Sequence, residues 1–210
     1  MKREKLSLSE RVRQEYEALA PVYDRRWRHY INTSLDATLA RLPLSGGETI
    51  LDIGCGSGEL LRRLQVQFPA LRLVGADASM SMLAVARHKL SASAALCNAT
   101  AEALPFATAS FDVIFSTSVL HYWPEPARAL AELRRVLRPG GRLTMTDWCG
   151  DYVSCRATAA GLRLMQRPVA QVYRAAECRR LLERTGLKIE RLERYKISRW
   201  WGLMTAVAAA

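Results

Sequence analysis

Ile50-Leu51-Asp52-Ile53-Gly54-Cys55-Gly56-Ser57-Gly58-Glu59-Leu60 is an apolar run that ends in three alternating glycines. An amphipathic segment, 60–68, follows at once. This order predicts a buried strand, a tight turn and a helix N-terminus. Glycines there let the backbone turn sharply and let a ligand lie against the main chain.

Downstream of that stretch, strand and helix alternate. The patterns predict strands over 49–53, 71–76, 94–97, 111–116 and 142–146. Between them they predict helices over 59–67, 80–90 and 126–137. Ser79 is placed to cap the second of these, and Pro126 opens the third. Such alternation means a parallel sheet covered by helices on both faces. Upstream, 9–20 and 25–42 read as a helical preface, with Ser9 as the first cap and Pro21 and Pro43 as breakers. In the last third, 154–167 and 174–184 read as helices and 188–195 as a strand exposed on one face. A final apolar strand is expected over 201–209.

At 210 residues the chain is expected to form one domain: a helical cap (1–48), a cofactor-binding core (49–147) and a substrate-side part (148–210). No apolar run approaches the roughly 20 residues of a membrane span. The basic start Met1-Lys2-Arg3-Glu4-Lys5 has no apolar segment behind it, so a secretory signal is not expected and the protein reads as cytoplasmic. The five cysteines form no C-x-x-C pair and read as reduced, partly buried thiols, with no metal expected. Net charge is +11, of which residues 151–210 contribute +7, twelve cations against five acids. A basic surface favours anionic partners, whether nucleic acid, anionic lipid or phosphorylated substrate, though an arginine-rich composition alone gives the same count.

The dinucleotide fingerprint is G-x-G-x-x-G, whereas this loop is Gly54-x-Gly56-x-Gly58 with Glu59 next. A pyrophosphate on the helix N-terminus wants positive potential. Asp52 and Glu59 flank the loop instead and suit a cationic ligand. S-adenosylmethionine carries a sulfonium and an ammonium and no phosphate. Asp77, at the end of the second strand, is placed to accept both ribose hydroxyls of any adenosine cofactor.

Several further segments keep a family's usual order and spacing. They are Gly75-Ala76-Asp77-Ala78-Ser79, Ala101-Glu102-Ala103-Leu104-Pro105-Phe106, Ser110-Phe111-Asp112-Val113-Ile114 and Leu133-Arg134-Arg135-Val136-Leu137-Arg138-Pro139-Gly140-Gly141. With the glycine loop they cover about residues 49–147, and the chain resembles the class I S-adenosylmethionine-dependent methyltransferases of the small-molecule kind. The resemblance implies a doubly wound α/β fold with a seven-stranded, mostly parallel sheet whose last strand is antiparallel. It implies that Asp52, Gly54 and Gly56 line the methionine part and that Asp77 and Ala78 hold the ribose side. Met82 or Ser81 would flank the adenine. Thr100 and Ala101 would meet its edge, with Thr100 standing where relatives carry an aspartate. Ser116 would sit beside the methionine moiety.

Methyl transfer asks mainly for alignment and exclusion of water, with a base only when the acceptor must lose a proton early. The polar candidates near strand ends are His121, as base or as packing residue, and Asp147, as substrate contact or cap. Tyr23, in the preface, is a lid residue or an ordinary core tyrosine. Tyr122, Trp123 and Trp148 suit an apolar or aromatic small-molecule acceptor such as a quinone, lipid or secondary metabolite. An Asn-Pro-Pro-Tyr-like motif and a Pro-Cys nucleophile are missing, which counts against nucleic acid. The alternatives are a tRNA or rRNA methyltransferase, a non-catalytic cofactor-binding protein and a nicotinamide-dependent oxidoreductase. The basic last third, with Trp200 and Trp201, is also expected either to meet an anionic membrane or simply to open a core strand.

Overall fold

The computed structural model describes residues 6–210. The basic stretch Met1-Lys2-Arg3-Glu4-Lys5 lies outside the described residues. Two helices, α1 (Leu8–Leu19) and α2 (Tyr23–Leu39), precede the sheet. Then come β1 (Thr49–Ile53), α3 (Glu59–Gln67), β2 (Arg72–Asp77), α4 (Met80–Lys89), β3 (Ala95–Asn98) and β4 (Phe111–Thr117). They are followed by α5 (Pro126–Val136), β5 (Leu137–Trp148), α6 (Val153–Leu164), α7 (Ala175–Arg184), β6 (Lys188–Lys196) and β7 (Gly202–Ala209).

The seven strands run in the order β3-β2-β1-β4-β5-β7-β6. Pairs from β3 to β5 are parallel, and β7 is antiparallel to both neighbours. The doubly wound sheet with an antiparallel last strand is thus present. Helices cover both faces because the central strands are apolar on both. Leu51 and Ile53 of β1 enter a core with Leu130 and Leu133 of α5 and Leu182 of α7. Ile50 enters the opposite core with Leu35 of α2, Leu61 and Leu64 of α3 and Leu83 of α4. The order of winding reverses between β1 and β4, and at such a switch point the strand ends leave a crevice for ligands.

Three local expectations are corrected. The cap of α1 is Ser7, not Ser9: Ser7 Oγ accepts from Glu10 N, and Glu10 accepts in return from Ser7 N at 2.8 Å. This capping box satisfies two otherwise orphan donors. β5 begins at Leu137, so Pro139-Gly140-Gly141 stays in the strand. The irregularity is absorbed by a register shift between Phe111 and Val113 of its partner. In β6 a shift between Ile189 and Arg191 breaks strict alternation, leaving Ile189, Leu192 and Tyr195 half-buried. Among the described residues no helix is long and apolar enough to cross a membrane.

Candidate active site

The glycine loop joins β1 to α3 and leans on the end of β2. Gly54 N and Cys55 N both donate to the Ala76 carbonyl, at 2.7 and 3.1 Å. Gly54 and Gly56 have φ of +69° and +52°. A Cβ on Gly54 would stand 2.5 Å from the Val119 side chain, and one on Gly56 3.2 Å from Met82 Cε. Conformation and space both require glycine at Gly54. Asp77 ties the arrangement down: Oδ2 accepts from Gly56 N and Oδ1 from Ser79 N, each at 2.8 Å.

Two adjoining cavities open over this loop. The larger, about 800 Å³ and open to solvent, is lined by Asp77, Ala78, Thr100, Ala101 and Glu102 on the sheet side. Its other wall is one face of α1, Ser9, Val12, Arg13 and Tyr16, at the i, i+3, i+4, i+7 spacing that brings side chains together. The smaller, about 470 Å³, is lined by Asp52, Gly54, Ser34, Leu35 and Tyr30. Tyr23 and Ser118 border both.

Burial, and then the neighbouring Asp77, push the Asp52 carboxyl well above its ordinary range. Asp52 is buried, and among the described residues no donor reaches its carboxylate. Burial also raises Asp77, against the pull of the Ser79 and Gly56 amides. A buried carboxylate without a protein partner is costly unless a cation meets it. Beside a glycine cradle this fits the ammonium and sulfonium of S-adenosylmethionine and opposes a pyrophosphate. Glu59 does not share the role expected of it. Arg62 and Arg63 bond it at 2.8 to 3.1 Å and hold its carboxyl below the usual range, so its charge is already matched.

The tyrosines are phenols. Burial raises Tyr16, Tyr23 and Tyr30, and raises Tyr122 to about 12. Tyr16 Oη donates to Tyr122 Oη at 3.2 Å, and Trp148 Nε1 donates to Tyr30 Oη at 3.0 Å. Ser118 Oγ lies 2.7 Å from Tyr30 Oη and its residue has a φ of +61°, a strained conformation at the cleft.

The structure therefore gathers Asp52, Gly54, Gly56, Asp77, Ala78, Thr100, Ala101 and Tyr23 around one cleft. Four other expected residues are not on its walls. Met82 is buried beneath Gly56. Ser116 is wholly buried within β4, and Thr117, Ser118 and Val119 face the cleft instead. His121 and Asp147 form a buried pair behind the wall, with His121 Nδ1 2.6 Å from Asp147 Oδ1. Asp147 also accepts from His121 N and Trp148 N, and the His121 ring stacks on Trp148 at 4.4 Å. The resemblance also implies a preface, with Tyr16 and Tyr23, folded over the cofactor, and α1 does line the cleft; Ser9, Val12 and Arg13 of that face, Tyr30, Ser118 and Glu102 were not among the expected site residues. The helical spacing from Ser9 to Tyr16 was the available signal for the first three.

A family profile described as "Methyltransferase domain" matches residues 51–145. The chain is 31% identical to 27-O-demethylrifamycin SV methyltransferase of Amycolatopsis mediterranei, over 85% of its own length and 74% of that enzyme. It is 36% identical to demethylmenaquinone methyltransferase of Thermus thermophilus, over 60% of this chain and 55% of that one. Of that enzyme and three other curated relatives it spans only 35 to 55% of the length. Its fold matches a possible histamine N-methyltransferase from Thermotoga maritima with a TM-score of 0.77 at 19% identity, covering 97% and 99% of the two chains. The glycine cradle, the unpartnered buried acid and these likenesses agree, and the chain belongs to the class I S-adenosylmethionine-dependent methyltransferases.

Proposed function

We propose that the enzyme methylates a small apolar or aromatic acceptor. The observation that carries this reading is the lining beyond the cofactor loop: Val12, Tyr16, Tyr23, Val119, Tyr122 and Trp123. Phenols held protonated offer hydrogen bonds and apolar faces and outnumber the charged residues on the same walls, which besides Asp77 are Arg13 and Glu102. Relatives are named for demethylmenaquinone and 27-O-demethylrifamycin SV, but others are named for malonyl-acyl-carrier protein and trans-aconitate, so the lining and not the relatives carries the reading.

In this reading Asp52 meets the cationic end of the cofactor, the Gly54 and Gly56 backbone lets it lie close, and Asp77 takes the ribose hydroxyls. Thr100 and Ala101 border the adenine, and Tyr23 sits over the junction of the two cavities. Bound S-adenosylmethionine supplies a methyl already activated by its sulfonium. The chain's work is then to align the acceptor and exclude water, which needs no base on the wall. His121 and Asp147 act as positioning residues, since they fix the turn that carries Tyr122 and the ring of Trp148.

Transfer of labelled methyl to a lipid extract, to a panel of phenols and quinols, and to total RNA tests the acceptor class. Label is expected in organic-extractable products. Label confined to RNA would overturn the proposal.

A further inference from the structure

The outer face of α6 has no partner in the fold and a composition that calls for one. Cys155, Ala159 and Leu162 face inward, at i, i+4, i+7. The opposite stripe, Val153, Ala157, Ala160 and Leu164, recurs at i, i+4, i+7, i+11 and is exposed along its whole length. Val153 and Leu164 are 69% and 87% exposed, and Met165 extends the stripe. No acidic residue occurs in the helix. Arg156 and Arg163 flank the stripe and donate only to backbone carbonyls, of Gly150 and of Val169 and Ala170. Among the described residues no carboxylate lies within ion-pair distance of Arg156, Arg163, Lys196 or Arg199.

The turn between β6 and β7 packs under the inner side of α6. Leu162 of α6 packs in one cluster with Ile197 and Trp201 of the turn. Trp201 is half-buried there and opens the last strand. Its neighbour Trp200 is 68% exposed and follows Arg199.

We infer that α6 and the Arg199-Trp200 turn dock on an anionic lipid surface. An exposed apolar stripe with arginines beside it and an aromatic residue at its edge is what an interfacial helix presents. Each cation near such a surface adds binding that salt weakens. A bilayer asks for no shape complementarity, and this face offers none: it is one convex helix whose middle is alanine. Docking there sets the cleft beside the membrane. Arg167, just past α6, pairs with Glu15 of the cleft-lining α1 at 2.6 Å, and Ala170 N donates to the His121 carbonyl at 2.8 Å.

The test is co-sedimentation of the whole protein with vesicles of phosphatidylcholine alone and of phosphatidylcholine with one-third phosphatidylglycerol. Binding is expected to the second, to fall with added salt, and to carry a blue shift of emission that Trp200→Phe removes. Arg156→Gln with Arg163→Gln should lower partition about twenty-five-fold, a roughly fivefold factor for each arginine. Those residues lie outside the cleft, so affinity for S-adenosylhomocysteine should stay unchanged and certifies the fold. Equal partition to both vesicles, or none, overturns the inference. So does retention on an immobilised acidic protein without vesicle binding. None of these outcomes depends on which acceptor the enzyme methylates.

Discussion

Asp52 is strained by its own surroundings in the free protein. Burial and Asp77 raise its carboxyl well above the ordinary range, so the folded state holds this proton to higher pH than the unfolded chain does. The stability it contributes is complete below the ordinary carboxylate range and is lost as pH rises through the raised value. Asp52→Asn should therefore raise the melting temperature of the ligand-free enzyme near neutral pH by a few degrees, about 2–4 °C per kcal/mol at this size. The same change should weaken S-adenosylhomocysteine binding by about 1–3 kcal/mol, because a charge-assisted contact is lost. Calorimetric melting and titration measure the two effects, and a lower melting temperature with intact affinity would refute both. His121 gives a second expectation at this scale. Because it stands behind the wall, His121→Ala should slow turnover about tenfold and leave cofactor affinity within about twofold. The pH–rate profile should keep its shape, whereas loss of a limb would mark a base. Acidity before the loop was legible in the sequence. That Arg62 and Arg63 match Glu59 was also legible, in the i, i+3 and i, i+4 spacing of an acid before two arginines, but the charge beside the loop was weighed without it.

Among the elements, α1 is the loosest that lines the cleft. It contributes no fully buried residue. It is held by the Tyr16–Tyr122 hydrogen bond, the Glu15–Arg167 pair and ring contacts of Tyr16 with Tyr23 and Tyr122 at 5.8 and 5.6 Å. Elements with few buried apolar contacts open at low cost. α2 is better fixed, since Asp24 in its first turn accepts from Ser57 Oγ of the glycine loop and pairs with Lys89 of α4. Amides of α1 should therefore exchange with solvent faster than those of α2 and much faster than those of β1 and β4. They should slow when S-adenosylhomocysteine binds, as hydrogen exchange followed by mass spectrometry would show. Equal protection of α1 and β4 in the free enzyme would contradict this. Strands β1 to β4 were legible to within a residue, because short apolar runs bounded by glycine and proline leave little choice, whereas β5 starts five residues earlier than its apolar run. The cap of α1 was not, because Ser7 and Ser9 both suit the position and only the three-residue spacing to Glu10 selects Ser7.

For the molecule as a whole, the ordered segments from the glycine loop to β5 made the sheet and cofactor legible, since both depend on local spacing. The acceptor side was less so, because α1, α2 and the β4–α5 turn meet there from distant parts of the chain. Charge is the remaining property of this scale. With +11 overall and +7 in residues 151–210, the protein should bind RNA at low salt whatever its acceptor. Such binding comes from counterion release, so its logarithm should fall linearly with the logarithm of salt concentration and show no sequence preference. A true RNA methyltransferase would also recognise bases, usually unstacked ones held on aromatic or arginine faces. Filter binding across a salt series, run beside labelled-methyl transfer to the same RNA, should give retention that vanishes by physiological salt and no incorporation. Retention that survives that salt together with label in one nucleotide would establish RNA as the acceptor.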